Sequence, residues 1–489
     1  MNQLHTPLFD AMSNLYKKGP ISLHVPGHKN GQVFNEKGRA LYKPLLGIDA
    51  TEISGLDDLH APEGVILEAE RLLADLYGVQ KSYFLVNGTT VGNLAMILAA
   101  CGEGDKVLVQ RNCHKSILHG LMLANVRPVF LQPIFYREWE VAGGISSDLL
   151  GEALDVHSDA KAVILTNPNY YGLAEKGLSG LVKMAHERGI PVLVDEAHGA
   201  HFQLGSLFPD SAILAGADAV VHSAHKTLPA MTMGSYLHIH SDLLDLDKMT
   251  FYLQMLQSSS PSYPIMGSLD LARGYLASFT IEDQNQLIKR ISDFRGELGK
   301  LGTIRVLEAP LGTSADPLKV VIQSTTGLSG FQLQKLFEGE NLYPELADPY
   351  NLLMTLPLVK EEQDFPFKEI IKKIERASSA MKDRSGEQDE EVVPQSALGK
   401  NAMTSLAYPY SVMKQKSTVQ VEFGKAIGAV SAEMVIPYPP GIPLIMTGEM
   451  ITSEHIDNLG RLLALDSRFH GGSFLSSGKL IVYEGSQVG

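Results

Sequence analysis

The chain has 489 residues, 44% apolar and 20% charged, enough globular material for a large core and more than one domain. Its formal net charge of −14 argues against nucleic acid as the main partner and agrees weakly with a cationic small substrate; no apolar run reaches membrane-spanning length. Two cysteines, Cys101 and Cys113, without a CxxC spacing, speak against a disulfide framework or a cysteine zinc site, and with no signal-peptide pattern a reducing cytoplasm is the expected compartment.

Residues 1–60 read as an irregular N-terminal segment rich in Gly, Pro and His. Residues 62–77 read as a helix: Pro62 suits a first turn, Val65, Ile66, Ala69, Leu72, Leu73 and Leu76 make one face, and Gly78 ends it. Short apolar runs follow at 83–86, 107–109, 128–131, 162–165, 192–194 and 219–221, separated by amphipathic stretches such as 147–156 and 177–188. Unalternated runs between helices predict a mostly parallel sheet covered on both faces, with 233–240 as a further strand, antiparallel to the rest. The expected divisions are a large domain over 61–310, a small α/β domain over 311–383, a polar, acidic linker over 384–400 and a C-terminal domain over 401–489. In the last of these, Pro437-Tyr-Pro-Pro-Gly-Ile-Pro443 is a stiff loop, either a plain turn or a rigid presenter of its neighbours.

Four motifs each fall just after a predicted strand. Asn87-Gly-Thr-Thr-Val-Gly-Asn93 opens a helical stretch, Leu94–Ala100, and places small residues and hydroxyls where a helix N-terminus can receive a phosphate, or merely a cap. Arg111-Asn-Cys-His114 offers a histidine that either stacks on a flat ring or caps a helix. Asp195-Glu-Ala-His198 spells a helicase motif, but the chain has no phosphate-binding P-loop. Asp195, His198 and His201 also have metal-ligand character, yet no further ligand follows in a recognisable pattern. His222-Ser-Ala-His-Lys226 combines an amine with two phosphate donors. A lysine amine that condenses with an aldehyde, and a carboxylate that keeps a pyridine nitrogen protonated, are what pyridoxal-phosphate (PLP) chemistry asks of a protein. Ligands in open α/β sheets bind beyond the carboxyl ends of the strands, so one pocket can collect all four motifs.

With these residues in place, the chain resembles the bacterial ornithine/lysine/arginine decarboxylases, in the short form without an N-terminal receiver-like domain. The resemblance is carried by His24-Val-Pro-Gly-His-Lys29, Leu56-Asp-Asp-Leu-His-Ala-Pro62, Asn87-Gly-Thr-Thr90, Asn112-Cys-His-Lys-Ser116 and Asn167-Pro-Asn-Tyr-Tyr-Gly172, then by Val194-Asp-Glu-Ala-His-Gly199, Ser223-Ala-His-Lys226, Ser260-Pro-Ser-Tyr-Pro-Ile-Met266 and Tyr438 through Glu449. It implies a fold type I, aspartate-aminotransferase-like α/β large domain with smaller α+β parts, pyridoxal 5'-phosphate as cofactor, a basic amino acid as substrate and at least a homodimer. It further implies that Lys226 is the Schiff-base lysine and that Gly88, Thr89, Thr90, Ser223 and His225 bind the phosphate. By the same resemblance, His114 stacks on the ring, Asp195 meets the pyridine nitrogen and His198 lies beside the ring. Glu449 would receive the cationic end of the substrate, and Ser262 and Tyr263 would reach a neighbouring subunit's site. Two positions depart from the family pattern: Thr447 stands where Pro is usual before Gly-Glu, and Ala224 where Thr is common before His-Lys. The implied reaction is decarboxylation of arginine or lysine, ahead of ornithine. The alternatives are another reaction on the same scaffold, such as transamination or aldol cleavage, and a catalytically silent PLP-binding protein.

Overall fold

A computed structural model describes residues 1–383, 402–438, 441–465 and 467–486. The expected linker, 384–400, lies outside the described residues, as do Pro439 and Pro440 of the proline loop.

The centre is an eight-stranded sheet. In chain order its strands are β1 (Lys81–Leu85), β2 (Lys106–Gln110), β3 (Arg127–Leu131), β4 (Ala162–Thr166), β5 (Val192–Asp195), β6 (Ala219–His222), β7 (Ser235–Ile239) and β8 (Met403–Ser405). Their spatial order is β1-β7-β6-β5-β4-β2-β3-β8. The pairs β3/β2, β2/β4, β4/β5 and β5/β6 are parallel, whereas β7 runs antiparallel between β1 and β6, and β8 antiparallel along β3. The interior strands are buried along nearly their whole length, as expected of runs such as Val192-Leu-Val194 that must be apolar on both faces. Because β7 reverses between β1 and β6, the carboxyl ends of β1, β2, β4, β5 and β6 lie on one edge.

Three local expectations are corrected. Residues 1–60 are not irregular throughout: Pro7–Lys18 and Glu36–Ile48 are helices, the second carrying Pro44 inside it. The helix expected from Pro62 begins at Val65 and does end at Gly78, in the left-handed conformation. Its N-terminus is capped from a distance by Asp57, whose carboxylate accepts from the backbone N–H groups of Glu63, Gly64 and Ile66 at 3.0, 2.7 and 3.0 Å. The helix expected from Leu94 starts six residues earlier and spans Gly88–Ala100.

A four-stranded antiparallel sheet, in the order Ile304–Val306, Lys319–Ser324, Asn351–Thr355, Leu346–Ala347, packs with the helices Gly330–Gly339 and Phe367–Asp383. It shares a continuous apolar core with the large sheet, in which Phe84 and Tyr236 join Ile322, Leu333 and Ile374. Two further contacts dock it: Thr313–Ala315 pairs with Leu173–Glu175, and the buried His201 ring lies 3.0 Å from Asp316 Oδ1. After β8 the chain forms a compact unit around Ala426, Val435, Ile445, Leu459 and Leu480, with strand pairs Thr418–Glu422/Lys479–Tyr483 and Val435–Tyr438/Arg468–Gly471. Among the described residues, no helix is long and apolar enough to cross a membrane.

Candidate active site

The turns that leave β1, β2, β5 and β6 converge on Lys226. This lysine lies on a one-turn helix, Ala224–Thr227, immediately after β6. Its Nζ is 3.0 Å from Nε2 of His198 and 5.7 Å from the centre of the Tyr170 ring, and that ring lies 5.2 Å from the imidazole of His198. Burial brings the Lys226 amine down to about 8; Lys319 acts in the same direction and Asp195 against it. Burial likewise holds His198 well below the usual histidine value, helped by the charge of Lys226, so the pair carries at most one extra proton near neutrality.

Asp195 ends β5 and is buried. Its Oδ1 accepts from the N–H of Ala197 at 3.1 Å, and its Oδ2 from Nδ2 of Asn93 at 2.9 Å. The same Asn93 amide donates to Oγ of Ser116 at 2.8 Å, and that hydroxyl meets Nδ1 of His114 at 2.7 Å. The N–H of Ser116 also points at Nδ1, so His114 caps the helix Lys115–Leu123. Nδ1 is therefore an acceptor, and burial keeps the ring neutral, which leaves the proton on Nε2. The two readings of His114 are thus compatible: Nδ1 caps while the ring faces stay available for stacking.

On the β1 and β6 side, Thr89 Oγ1 and Ser223 Oγ stand 2.9 Å apart. Gly88 adopts φ +74°, its N–H donates to the carbonyl of Met233 at 2.9 Å, and among the described residues nothing fills the space of the Cβ it lacks, which leaves room for a ligand there. Thr90 is exposed on the first turn of the helix Gly88–Ala100, whose leading N–H groups form an anion-favouring end. His225 Nδ1 donates to the carbonyl of Gly234 at 3.0 Å, leaving Nε2 for a second partner. This donor set suits a phosphate, and the neighbouring amine and carboxylate suit an aldehyde and a pyridine nitrogen. Among the described residues, His198 Nδ1 and Asn93 Oδ1 are buried without a hydrogen-bond partner, as expected of a wall built for a further polar group. The residues present therefore fit pyridoxal 5'-phosphate.

Below the site lies a fully buried chain in which Ser82 meets His238 (2.8 Å), His238 meets His222 (3.1 Å) and His222 meets Glu196 (2.7 Å). Glu196 also accepts from Ser211 Oγ at 2.6 Å. It ties the residue after Asp195 to the residue before Ser223. Asn93, Ser116, Tyr170, Glu196 and His222 lie inside the sequence motifs, but the motifs give none of them a role of its own. The available signal for Asn93 is an amide among apolar residues in a helix that turns out to be buried.

Glu449 and Tyr263 both have partners within this chain. Glu449 is buried against Arg111: its Oε2 accepts from a guanidinium nitrogen at 3.0 Å and from the N–H of Met446 at 3.0 Å. Tyr263 is buried, its hydroxyl donating to the carbonyl of Asp57, and Ser262 stands at the start of the helix Tyr263–Ala277 without a capping hydrogen bond from its side chain. His201, considered with Asp195 and His198 as a metal ligand, is engaged by Asp316. Pro437, Ile442 and Pro443 of the proline loop line, with Asn169 and Tyr170, a cavity of about 100 Å³.

Comparison with known proteins matches residues 6–311 to the major domain, and 390–473 to the C-terminal domain, of the family described as Orn/Lys/Arg decarboxylase. An uncharacterized protein of Bacillus subtilis, YaaO, is 45% identical over 98% of this chain and 99% of its own length. The arginine decarboxylase of the same organism is 34% identical over 93% of each chain. Among solved structures, the constitutive lysine decarboxylase of Escherichia coli superposes with a TM-score of 0.78 at 22% identity, covering 98% of this chain and 82% of that one. A Sphingomonas wittichii serine palmitoyltransferase superposes with a TM-score of 0.52 at 18% identity, over 72% of this chain and 86% of that one.

Proposed function

The chain belongs to the Orn/Lys/Arg decarboxylase family, PLP-dependent carboxy-lyases of fold type I, and from that premise we propose that its substrate is arginine, with lysine next in order. The products are then agmatine or cadaverine and carbon dioxide, which places the reaction in polyamine metabolism. The observation that supports this most directly is the Lys226–His198 contact at 3.0 Å beside an Asp195 fixed by Asn93. Similarity to arginine decarboxylases over nearly the whole chain supports the choice of substrate.

Pyridoxal 5'-phosphate, when bound, supplies an aldehyde that condenses with amines and a conjugated ring that accepts the electron pair left as carbon dioxide departs. Lys226, whose amine burial brings down to about 8, would hold the cofactor through its Nζ and give way to the substrate amine. Asp195 keeps a proton on the pyridine nitrogen, and Asn93 fixes the carboxylate's direction. Thr89, Thr90, Ser223 and His225 would receive the phosphate, with Gly88 leaving room beside them. His114 covers one ring face. The Lys226 Nζ–His198 Nε2 pair returns a proton to Cα, moving it between two nitrogens already in hydrogen-bond contact. Glu449 pairs with Arg111 and so ties the C-terminal unit to the end of β2.

We further infer a homodimer. Ile21, Leu23 and Leu41 are 85%, 92% and 85% exposed, and these large side chains in the N-terminal segment are what a second copy would cover.

The test is carbon dioxide release from arginine, lysine and ornithine offered separately to the PLP-loaded protein, with the amine identified. Release from arginine or lysine far above the others is expected, and Lys226→Ala should abolish it. No release from any of the three, although borohydride fixes the cofactor onto Lys226, would remove the substrate assignment and keep the cofactor site.

A further inference from the structure

Lys319 opens the strand Lys319–Ser324 and is 2% exposed. A buried ammonium is costly unless its donors are matched by an anion. Among the described residues its Nζ makes one hydrogen bond, to the hydroxyl of Thr355 at 2.9 Å, and no ion pair within 4 Å. An ammonium has three donors, so two are left. Asp316 is the nearest opposing charge but forms no ion pair with Lys319 within 4 Å: its Oδ1 takes the His201 ring and the N–H of Leu318, each at 3.0 Å, and its Oδ2 is buried with no hydrogen-bond partner among the described residues. The carboxylate of Glu345 acts on Lys319 only at longer range.

The stem of Lys319 adjoins the wall of the site already described. The stem of Lys319 lies flat on Gly172: a Cβ there would stand 2.7 Å from Lys319 Cγ and 2.8 Å from its Cβ. Gly172 is two residues from Tyr170, whose ring faces both Lys226 and His198. The charge of Lys319 is felt at both of those groups.

We propose that Lys319 receives the α-carboxylate of the incoming amino acid. An amino acid that reacts through its amine at Lys226 carries its carboxylate two bonds away from that nitrogen, so it brings an anion to this wall. The proposal rests on the decarboxylase reading for its choice of ligand, although any α-amino acid would present the same group. A lysine suits the task better than an arginine would. Arginine grips a carboxylate by both oxygens in a fixed plane, whereas lysine is a single point charge on a flexible stem. It can hold the Cα–carboxylate bond out of the plane of the cofactor ring while leaving one oxygen free, so the group can depart once the bond breaks. Lys319 is in this sense a positioning residue for the leaving group.

The test compares ligands with and without a carboxylate. PLP-loaded wild-type protein and Lys319→Met are titrated with L-arginine and agmatine, and with L-lysine and cadaverine, reading the cofactor's visible absorbance after rapid mixing. Methionine keeps the stem and removes the charge. Affinity for the amino acid is expected to fall at least about tenfold in Lys319→Met, the loss of one charge-assisted hydrogen bond, while affinity for the matching amine is unchanged. Lys319→Arg should restore part of the loss. Equal losses for amino acid and amine, or no loss for either, overturn the proposal. If Lys319→Met does not take up cofactor, Lys319→Gln, which keeps a donor for Thr355, serves the same comparison. Carbon dioxide release is scored separately. Selective loss of amino-acid binding in a protein that releases none keeps Lys319 as the carboxylate site and removes the decarboxylase reading. Release with unchanged amino-acid affinity does the reverse.

Discussion

Asp195 and His114 lie 81 positions apart in the chain, yet they are joined by two intermediates, Asn93 and Ser116, each holding the next at under 3 Å. This chain sets the direction of the carboxylate and the tautomer of the imidazole together. At the same scale, the Lys226 amine titrates about two pH units below an ordinary lysine, because burial disfavours its charge. Only the neutral amine attacks an aldehyde. The rate at which cofactor-free protein captures pyridoxal 5'-phosphate, read from the growth of the Schiff-base absorbance, should therefore rise with pH and level off just above about 8. A rate still climbing at pH 10 would mean a solvated lysine. The end members of this machinery are legible in the sequence, since Lys226, Asp195, His198 and His114 each sit just past an apolar run. The intermediates are not, because an asparagine in a helix declares neither its burial nor its partner.

The elements that proved easiest to read are those whose burial leaves the sequence little choice. β5 and β6 are apolar on both faces and appear in the chain as uninterrupted runs. The helices Pro7–Lys18 and Glu36–Ile48 were hidden by glycines, prolines and histidines in and around them, and by Pro44 within the second. The helix Val65–Tyr77 shows why starts are harder than middles. Its cap, Asp57, is eight residues upstream and reaches back through a turn with φ +68°. Burial pushes the Asp57 carboxyl up, but the backbone donors outweigh it and the net shift is downward from 3.8. A carboxyl lowered on folding stabilises the native state above its unfolded value and loses that contribution as pH falls through its folded one. Asp57→Ala should lower unfolding stability by about 1–2 kcal/mol at neutral pH, as for other lost N-caps, and by progressively less below pH 4. Denaturant midpoints for both proteins at several pH values check this, and a difference independent of pH would show that the carboxylate is not the cap.

For the whole molecule, the decisive contacts are few and join distant parts of the chain. Arg111 and Glu449 are 338 positions apart and form a buried pair between the carboxyl end of β2 and the C-terminal unit. Removing one partner of a buried pair leaves the other charge uncompensated, typically at about 3–5 kcal/mol. Glu449→Gln should lower the denaturant midpoint accordingly; a raised KM with unchanged unfolding would instead mean that Glu449 reads the substrate directly. The sequence motifs named the right neighbourhoods for these contacts, but Arg111 entered only as the first residue of a histidine motif, and Glu449 as a candidate for the substrate's cationic end rather than as its partner.

β8 gives the C-terminal segment a second duty. Met403–Ser405 pairs with Leu131–Val129 along the open side of β3, which would otherwise end the sheet with a row of unpaired amide and carbonyl groups. Such an edge is a template for pairing with other chains. The segment that supplies Glu449 thus also works as a shield against aggregation, and a product shortened before Met403 would expose a sticky margin even if its core folded as before.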